Sequence, residues 1–185
     1  MLFDTLPLNE SAAGLIARAD LFFISSSHQG TTIGTNYRGG PPGFVRVLVS
    51  NDLTTSLVWP EYSGNRFYQT LGNLKTTPRA GLVFPDFETG DVLYLTCTTE
   101  VVIGKDAAAL LPRSNLLVKA KIDAARFVGQ GLSFRGQPGE RSPYNPPVRF
   151  LAGEGHHFDA QTSNNSVAYA KLIGKDVLTP TIARK

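Results

Sequence analysis

The chain has 185 residues, enough for one well-buried domain with appendages and short for two complete domains. Its hydrophobic content of 42% and charged content of 18% are those of a globular protein and exclude a disordered or fibrous chain. The net charge of +3 comes from basic residues spread from Arg18 to Lys185. Nucleic-acid binders concentrate basic charge on one face, so no nucleic-acid partner is expected.

The single cysteine, Cys97, lies within an apolar run and is interpreted as a small core residue. One cysteine excludes a disulfide within the chain. No run approaches the roughly 20 apolar residues of a membrane span, and no basic region precedes a long apolar run at the N-terminus. We therefore expect a cytoplasmic protein with no membrane partner.

The first predicted element is a short helix over residues 10–20, with Asn9 or Ser11 as its cap. Its spacing places Ala13, Ile16 and Ala17 on one face, with Leu15 on the flank. Apolar or alternating runs then predict strands at 21–25, 31–37, 44–50, 56–62, 79–87, 91–104 and 116–128. Two further short helices are predicted at 65–74 and 106–111.

Many short strands with few helices predict a mainly β fold, a closed or nearly closed antiparallel barrel of six to seven strands. The composition changes after residue 129, where a high content of Gly, Pro and Arg favours an extended loop or arm. We predict a domain over residues 1–150, a polar linker over 151–166 and a strand-like tail over 167–185.

Arginines among turns are the first candidates for a binding site. Gly64-Asn65-Arg66 lies at the start of a predicted helix, where free N–H groups and one guanidinium could hold an anion, although an ordinary cap beside an exposed arginine is the more frequent arrangement. Arg46 alternates with apolar Val45 and Val47, so it points away from them, toward solvent or toward a ligand phosphate. Arg38, beside two glycines, is a further candidate.

Other clusters point less clearly to chemistry. The aromatic residues of Trp59-Pro60-Glu61-Tyr62 fit a core as well as a cofactor contact. His156-His157 with Asp159 lies in a polar stretch and is interpreted as linker, so no metal site is predicted. No catalytic triad and no glycine-rich phosphate loop is recognisable, and the catalytic residues stay unassigned.

Four ordered motifs within residues 19–103 resemble the pyridoxamine 5′-phosphate oxidase-like family of FMN-binding split β-barrels. They are ADLFFISS, RGGPPGFVRVL, LVWPEYSGNRFYQTLGNL and PRAGLVFPDFETGDVLYLTC. A looser match extends to about residue 150 through ERSPYNPPVRFL. The tail KLIGKDVLTPTIARK is similar to the opening strand of ferredoxin-reductase-type FAD domains, which implies the front module of a longer fusion protein.

The resemblance implies a homodimer with FMN bound in clefts at the subunit interface. It assigns the phosphate to Arg46, Ser63, Asn65 and Arg66, and the ring to the backbone around Val47, Trp59 and Glu61, with a polar contact from Asn73. The arm around residues 135–149 of the partner would close this pocket. Arg38 and Tyr37 would lie on the substrate side.

The chain departs from this pattern at Asn36-Tyr37, where relatives often carry Ser-His before Arg-Gly-Gly. The substrate therefore cannot be carried over, and pyridoxamine phosphate is not assigned. The leading hypothesis is an FMN-dependent oxidoreductase that receives electrons from a nicotinamide nucleotide or a reductase domain. The alternative is a non-catalytic flavin-binding, haem-binding or dimerisation module.

Overall fold

The structure, a computed structural model, describes residues 2–3, 8–50, 54–62, 68–154, 176–179 and 182–184. It divides the chain into two compact units, Met1–Glu154 and Gly155–Lys185. The predicted domain boundary at residue 150 stays a prediction. The linker and the reductase-type tail stay predictions.

The first unit is mainly β. Its strands are β1 (Leu2–Phe3), β2 (Leu21–His28), β3 (Thr32–Gly39), β4 (Arg46–Val49), β5 (Thr55–Pro60), β6 (Arg79–Pro85), β7 (Val92–Ile103) and β8 (Leu116–Val128). Its helices are α1 (Glu10–Arg18), α2 (Gln69–Thr76) and α3 (Lys105–Leu110). The described residues from 129 to 154 contain neither helix nor strand, as the composition of the arm predicted.

The strands form one antiparallel sheet in the order β3-β2-β6-β7-β8-β5-β4, with β1 paired to β8. The strands β3 and β4 are the two edges of this order, so the barrel is split rather than closed. The predicted class, an antiparallel split β-barrel of six to seven strands with short helices, is confirmed. The two long central strands β7 and β8 pair from Val92↔Val128 to Ile103↔Leu116.

Aromatic rings fill the centre of the barrel. Phe22 packs against Phe44, Phe84 and Trp59, with ring centroids 6.0, 4.9 and 5.0 Å away. All four side chains are at most 1% exposed. Burying each such ring contributes roughly 1.5–3 kcal/mol, which makes this cluster the main apolar support of the fold. A second, smaller cluster lies under α3 and includes Val58, Leu117 and Leu151.

The helix α1 begins after Asn9, whose side chain accepts a hydrogen bond from the Ala12 amide at 2.8 Å, as the cap prediction required. Its buried residues are Ala12, Leu15 and Ile16. The predicted face was wrong at Ala17, which is exposed. The buried side of this nine-residue helix is formed by Leu15 and Ile16, together with Ala12 one turn earlier.

The strand β2 runs three residues beyond the predicted 21–25. Ser26 is buried there and accepts a hydrogen bond from Asn73 Nδ2 at 3.1 Å, so its hydroxyl is satisfied inside the fold. The turn itself lies at Gln29 and Gly30, with φ of 48° and 72°. Positive φ values are what tight hairpin turns require.

In the second unit, the described strands are β9 (Asp176–Thr179) and β10 (Ile182–Arg184), which pair antiparallel. Across the described residues of the chain, no helix is long and apolar enough to cross a membrane.

Candidate functional site

Three of the predicted phosphate ligands, Ser63, Asn65 and Arg66, lie outside the described residues. The described part of α2 begins at Gln69, with Tyr68 as its N-cap and no capping side chain. The predicted start of this helix at residue 65 therefore also falls outside what the structure describes. The roles of these three residues stay predictions.

Three other predicted contacts have side chains on the core side of the fold. Trp59 is 0% exposed, Asn73 is 6% exposed and bonds to Ser26, and Val47 packs against the main core. Only the backbone of these segments is left for a ligand. The sequence does not reveal that the Trp59 side chain is buried in the core. Every residue of β5 is buried, so the strand shows no alternation of apolar and polar residues that would mark its two faces.

Arg38 and Glu61 form a buried ion pair between two distant segments of the sheet. Arg38 Nε donates to Glu61 Oε1 at 2.7 Å, and both side chains are 5% exposed. Trp59 Nε1 lies 3.4 Å from the same oxygen. Arg38 is on the edge strand β3 and Glu61 follows β5, which lies beside the other edge strand, β4, so this pair connects two strands that are far apart in the order of the sheet.

Arg38 and Tyr37, the two residues predicted on the substrate side, lie on opposite faces of β3. Arg38 Nη1 donates to the Tyr37 carbonyl at 3.1 Å, whereas Arg38 Nη2 is buried without a hydrogen-bond partner among the described residues. The neighbouring Tyr37 side chain is exposed on the opposite face of β3. The two residues therefore cannot act on one ligand from the same face.

Arg46 lies on the outer face of β4 and forms a two-pronged ion pair with the carboxylate of Glu154. Its Nη2 and Nε donate to Glu154 Oε1 and Oε2 at 2.7 and 3.0 Å, and its Nη1 donates to the Gly43 carbonyl at 3.1 Å. The Leu151 amide donates to Glu154 Oε2 at 2.8 Å. The guanidinium also lies over the Phe150 ring, 4.9 Å from its centroid. Three N–H donors thus converge on one oxyanion.

Glu154 belongs to a short segment, residues 149–154, which we call the strap. At its start, Arg149 Nη1 donates to Ser114 Oγ at 2.9 Å, and the guanidinium lies over the Tyr62 ring at 5.7 Å. Burial raises the pKa of Tyr62, and the nearby charge of Arg149 partly offsets this. Leu151 anchors the strap in the smaller apolar cluster.

Sequence reasoning missed Glu154, because it is 108 positions from Arg46 and no local pattern links them. The ERSPYNPPVRFL motif contained Arg149, Phe150 and Leu151, but their contacts depend on where the arm folds back. Only a long-range contact prediction could have identified this pairing.

A groove of about 390 Å³ lies on the same outer face as Arg46. Strand register places Ser56 beside both Leu48 and Lys121, and Glu100 beside Lys119. The groove is lined by Leu48, Ser50, Thr54, Ser56, Thr98, Thr99, Glu100, Lys119 and Lys121. It is therefore a polar surface with two lysines, next to the oxyanion grip.

Negative charge in and beside the groove partly balances the lysines. Lys121 Nζ lies 3.6 Å from Asp123 Oδ1, and Thr98 donates to Asp123 Oδ2 at 2.7 Å. Among the described residues, no group of three or more His, Cys, Asp and Glu side chains could hold a metal ion. Cys97 lies in the core, where burial and the charge of Asp123 raise its pKa to about 12.

No protein-family model matches the chain. A search of curated proteins also finds no match. Among solved structures, the chain is similar to HupZ of Group A Streptococcus, with 14% identity, a TM-score of 0.49 and coverage of 67% of this chain and 96% of that one. It is also similar to a Clostridium acetobutylicum protein of the pyridoxine phosphate oxidase family, with 10% identity, a TM-score of 0.41 and coverage of 64% and 86%.

A third similar structure is HutZ, the heme storage protein from Vibrio cholerae, with 9% identity, a TM-score of 0.43 and coverage of 66% and 94%. The neighbours include members of the family that the motifs resemble, as that resemblance predicted. The likeness is one of fold.

Proposed function

We propose that this chain is a flavoprotein domain that binds FMN and transfers hydride or electrons through it. The observation that carries the proposal is the grip of Arg46 on an oxyanion at the outer face of β4. The sequence motifs supply FMN as the candidate ligand, and the geometry at Arg46 supports a phosphate contact there.

The donor set suits a phosphate. Arg46 offers Nε and Nη2 as a fork, which in the structure binds both oxygens of the Glu154 carboxylate. Arginine forks bind phosphate oxygens in the same two-pronged way as carboxylate oxygens. The Arg46 side chain is 21% exposed, so a ligand from solvent can reach it. Ser63, Asn65 and Arg66 would complete the phosphate site if the family pattern holds.

We place the flavin ring in the groove next to Arg46, which replaces the position along the backbone of Val47, Trp59 and Glu61 that the resemblance implied. Its volume of about 390 Å³ lies within the range of small-molecule sites, about 300–1,000 Å³. Leu48 lines it and is two residues from Arg46 on the same face, about 7 Å along the strand. A phosphate at Arg46 and a ring over Leu48 would thus belong to one ligand.

When bound, FMN supplies the hydride or electron transfer, and the chain supplies binding, orientation and charge. Lys119 and Lys121 would stabilise negative charge that develops on a ligand in the groove. The proposal includes a homodimer with FMN at its interface, a cytoplasmic location, and electrons from a nicotinamide nucleotide or a reductase domain. The substrate stays unassigned.

The second candidate is a module that binds a cofactor without catalysis. The groove lining, made of Leu, Ser, Thr, Glu and Lys, favours a flavin over haem, because haem iron needs an axial ligand such as His, Cys, Met or Tyr. His28 is the one histidine among the described residues, and it does not line the groove. It lies on β2, where its Nδ1 is 3.3 Å from Thr76 Oγ1. A flavin carrier is therefore the stronger form of this alternative.

An absorption spectrum followed by a titration tests the proposal. Purified protein, stripped of ligand and then titrated with FMN, should quench flavin fluorescence with saturation at one FMN per chain. Oxidation of NADH or NADPH by the loaded protein would support an oxidoreductase, whereas bound FMN that neither nucleotide reduces would support a carrier. A Soret band on adding haem, with no response to FMN, would contradict the proposal.

A further inference from the structure

We propose that the strap is an autoinhibitory latch: the Glu154 carboxylate occupies the Arg46 oxyanion site and has to leave before a phosphate monoester binds there. The inference rests on the proposed function only in naming FMN as that monoester. The competition itself concerns two groups of this chain, Arg46 and Glu154.

The latch occupies the donors that a phosphate would need. Both Glu154 oxygens are engaged, one by Arg46 Nη2 and the other by Arg46 Nε and the Leu151 amide. The remaining Arg46 nitrogen, Nη1, is held by the Gly43 carbonyl. The side-on fork of Nε and Nη2 is therefore filled by the carboxylate, and a phosphate that binds this fork has to displace Glu154.

The strap is held by a few local contacts. Leu151 is 5% exposed in the smaller apolar cluster, and the Ala152 amide donates to the Leu110 carbonyl at 3.1 Å. The Glu154 amide donates to the Leu151 carbonyl at 2.9 Å, which bends the chain back so that its carboxylate faces Arg46. These contacts preset the latch in the ligand-free protein.

The latch is nevertheless displaceable, in contrast to the other strong arginine pair. The Arg46 and Glu154 side chains are 21% and 31% exposed, whereas Arg38 and Glu61 are both 5% exposed. When a part-exposed ion pair separates, water solvates both charges, so the pair favours the closed position of the strap over the open one only modestly. A phosphate carries more charge than a carboxylate and can therefore displace it at the same fork.

The test measures FMN affinity in matched variants. Glu154→Gln keeps the size of the side chain and removes its charge, and it should bind FMN about two- to fivefold more tightly than wild type, the range that a part-exposed ion pair supports. Glu10→Gln removes an exposed acid at the start of α1 as a control and should leave the affinity unchanged. Inorganic phosphate should raise the melting temperature of Glu154→Gln more than that of wild type.

Leu151→Ala separates a latch from a simple charge effect. It loosens the anchor but keeps every charge, and it too should tighten FMN binding once circular dichroism shows that it is folded. If Glu154→Gln tightens binding and the folded Leu151→Ala does not, the latch is overturned and only charge repulsion remains. Equal FMN affinity in wild type and Glu154→Gln overturns the latch alone, whereas failure of every variant to bind FMN overturns the proposed function as well.

Discussion

Glu61→Gln removes one charge from the buried Arg38–Glu61 pair, which links β3 to the end of β5. Glutamine keeps the shape of the side chain and an oxygen that can accept from Trp59 Nε1, which lies 3.4 Å from Glu61 Oε1. The change thus isolates the loss of the carboxylate. It leaves the Arg38 cation at 5% exposure, with Nη2 already unpartnered among the described residues.

The expected cost follows from that burial. Removing one member of a buried ion pair typically costs about 3–5 kcal/mol, because the other charge stays buried and uncompensated. This is a large part of the roughly 5–15 kcal/mol by which a domain is stable. For a domain of this size it corresponds to a fall of about 6–20 °C in melting temperature. The double variant Arg38→Met with Glu61→Met should recover most of this loss, since no charge is then buried.

Urea unfolding measures these differences. The single tryptophan, Trp59, is fully buried and reports loss of the core by fluorescence, and circular dichroism provides a second probe. Lys121→Met is the matched control, because the Lys121–Asp123 pair is 54% and 33% exposed and should contribute less than about 1 kcal/mol. A Glu61→Gln variant no less stable than Lys121→Met would refute the reasoning.

Three further predictions concern other parts of the molecule. Arg66→Ala should weaken FMN binding by about 1–3 kcal/mol, as loss of a charge-assisted contact does, and unchanged affinity in a titration would remove Arg66 from the phosphate site. Burial opposes but does not outweigh the bonds from the Thr89 amide, the Arg18 side chain and the Glu88 amide, which together lower the pKa of Asp86 below 3.8. Its stabilisation is therefore complete above pH 3.8 and is lost as the pH falls through the folded pKa. Asp86→Asn should cost about 0.5–1 kcal/mol at pH 7 and progressively less as the carboxylate is protonated at acid pH, a difference that pH-dependent urea unfolding would detect. Cys97, with a pKa of about 12 and no exposed surface, should react with a thiol reagent only after unfolding, and rapid labelling of the native protein would contradict its placement in the core.

The strands were largely predictable because hydrophobic alternation and turn residues are local signals. The predicted strand 116–128 coincides with β8, and Asn9, one of the two cap candidates named from residue type, is the cap of α1. The extent of β2 was not predictable, since Ser26 reads as a turn residue until its partner Asn73 is known. Local polarity cannot reveal a partner 47 positions away.

The site was predictable only in part, for the same reason. The alternation of Val45, Arg46 and Val47 correctly placed Arg46 on the face away from the core. Nothing local indicated that Glu154 would occupy its guanidinium, or that Arg38 would be buried against Glu61. Ion pairs between distant segments depend on the closed tertiary structure, and a sequence pattern shows only the charges that are available.

The central claim, that Arg46 holds the phosphate of a flavin, is tested most directly by comparing FMN with riboflavin, which lacks the phosphate. Both ligands should be titrated against wild type and against Arg46→Met, which keeps much of the side-chain length without the charge. Wild type should prefer FMN, and Arg46→Met should lose about 1.5–3 kcal/mol of that preference, roughly a 10- to 150-fold ratio, while its riboflavin affinity changes little. A preference for FMN that is the same in both proteins would contradict the assignment.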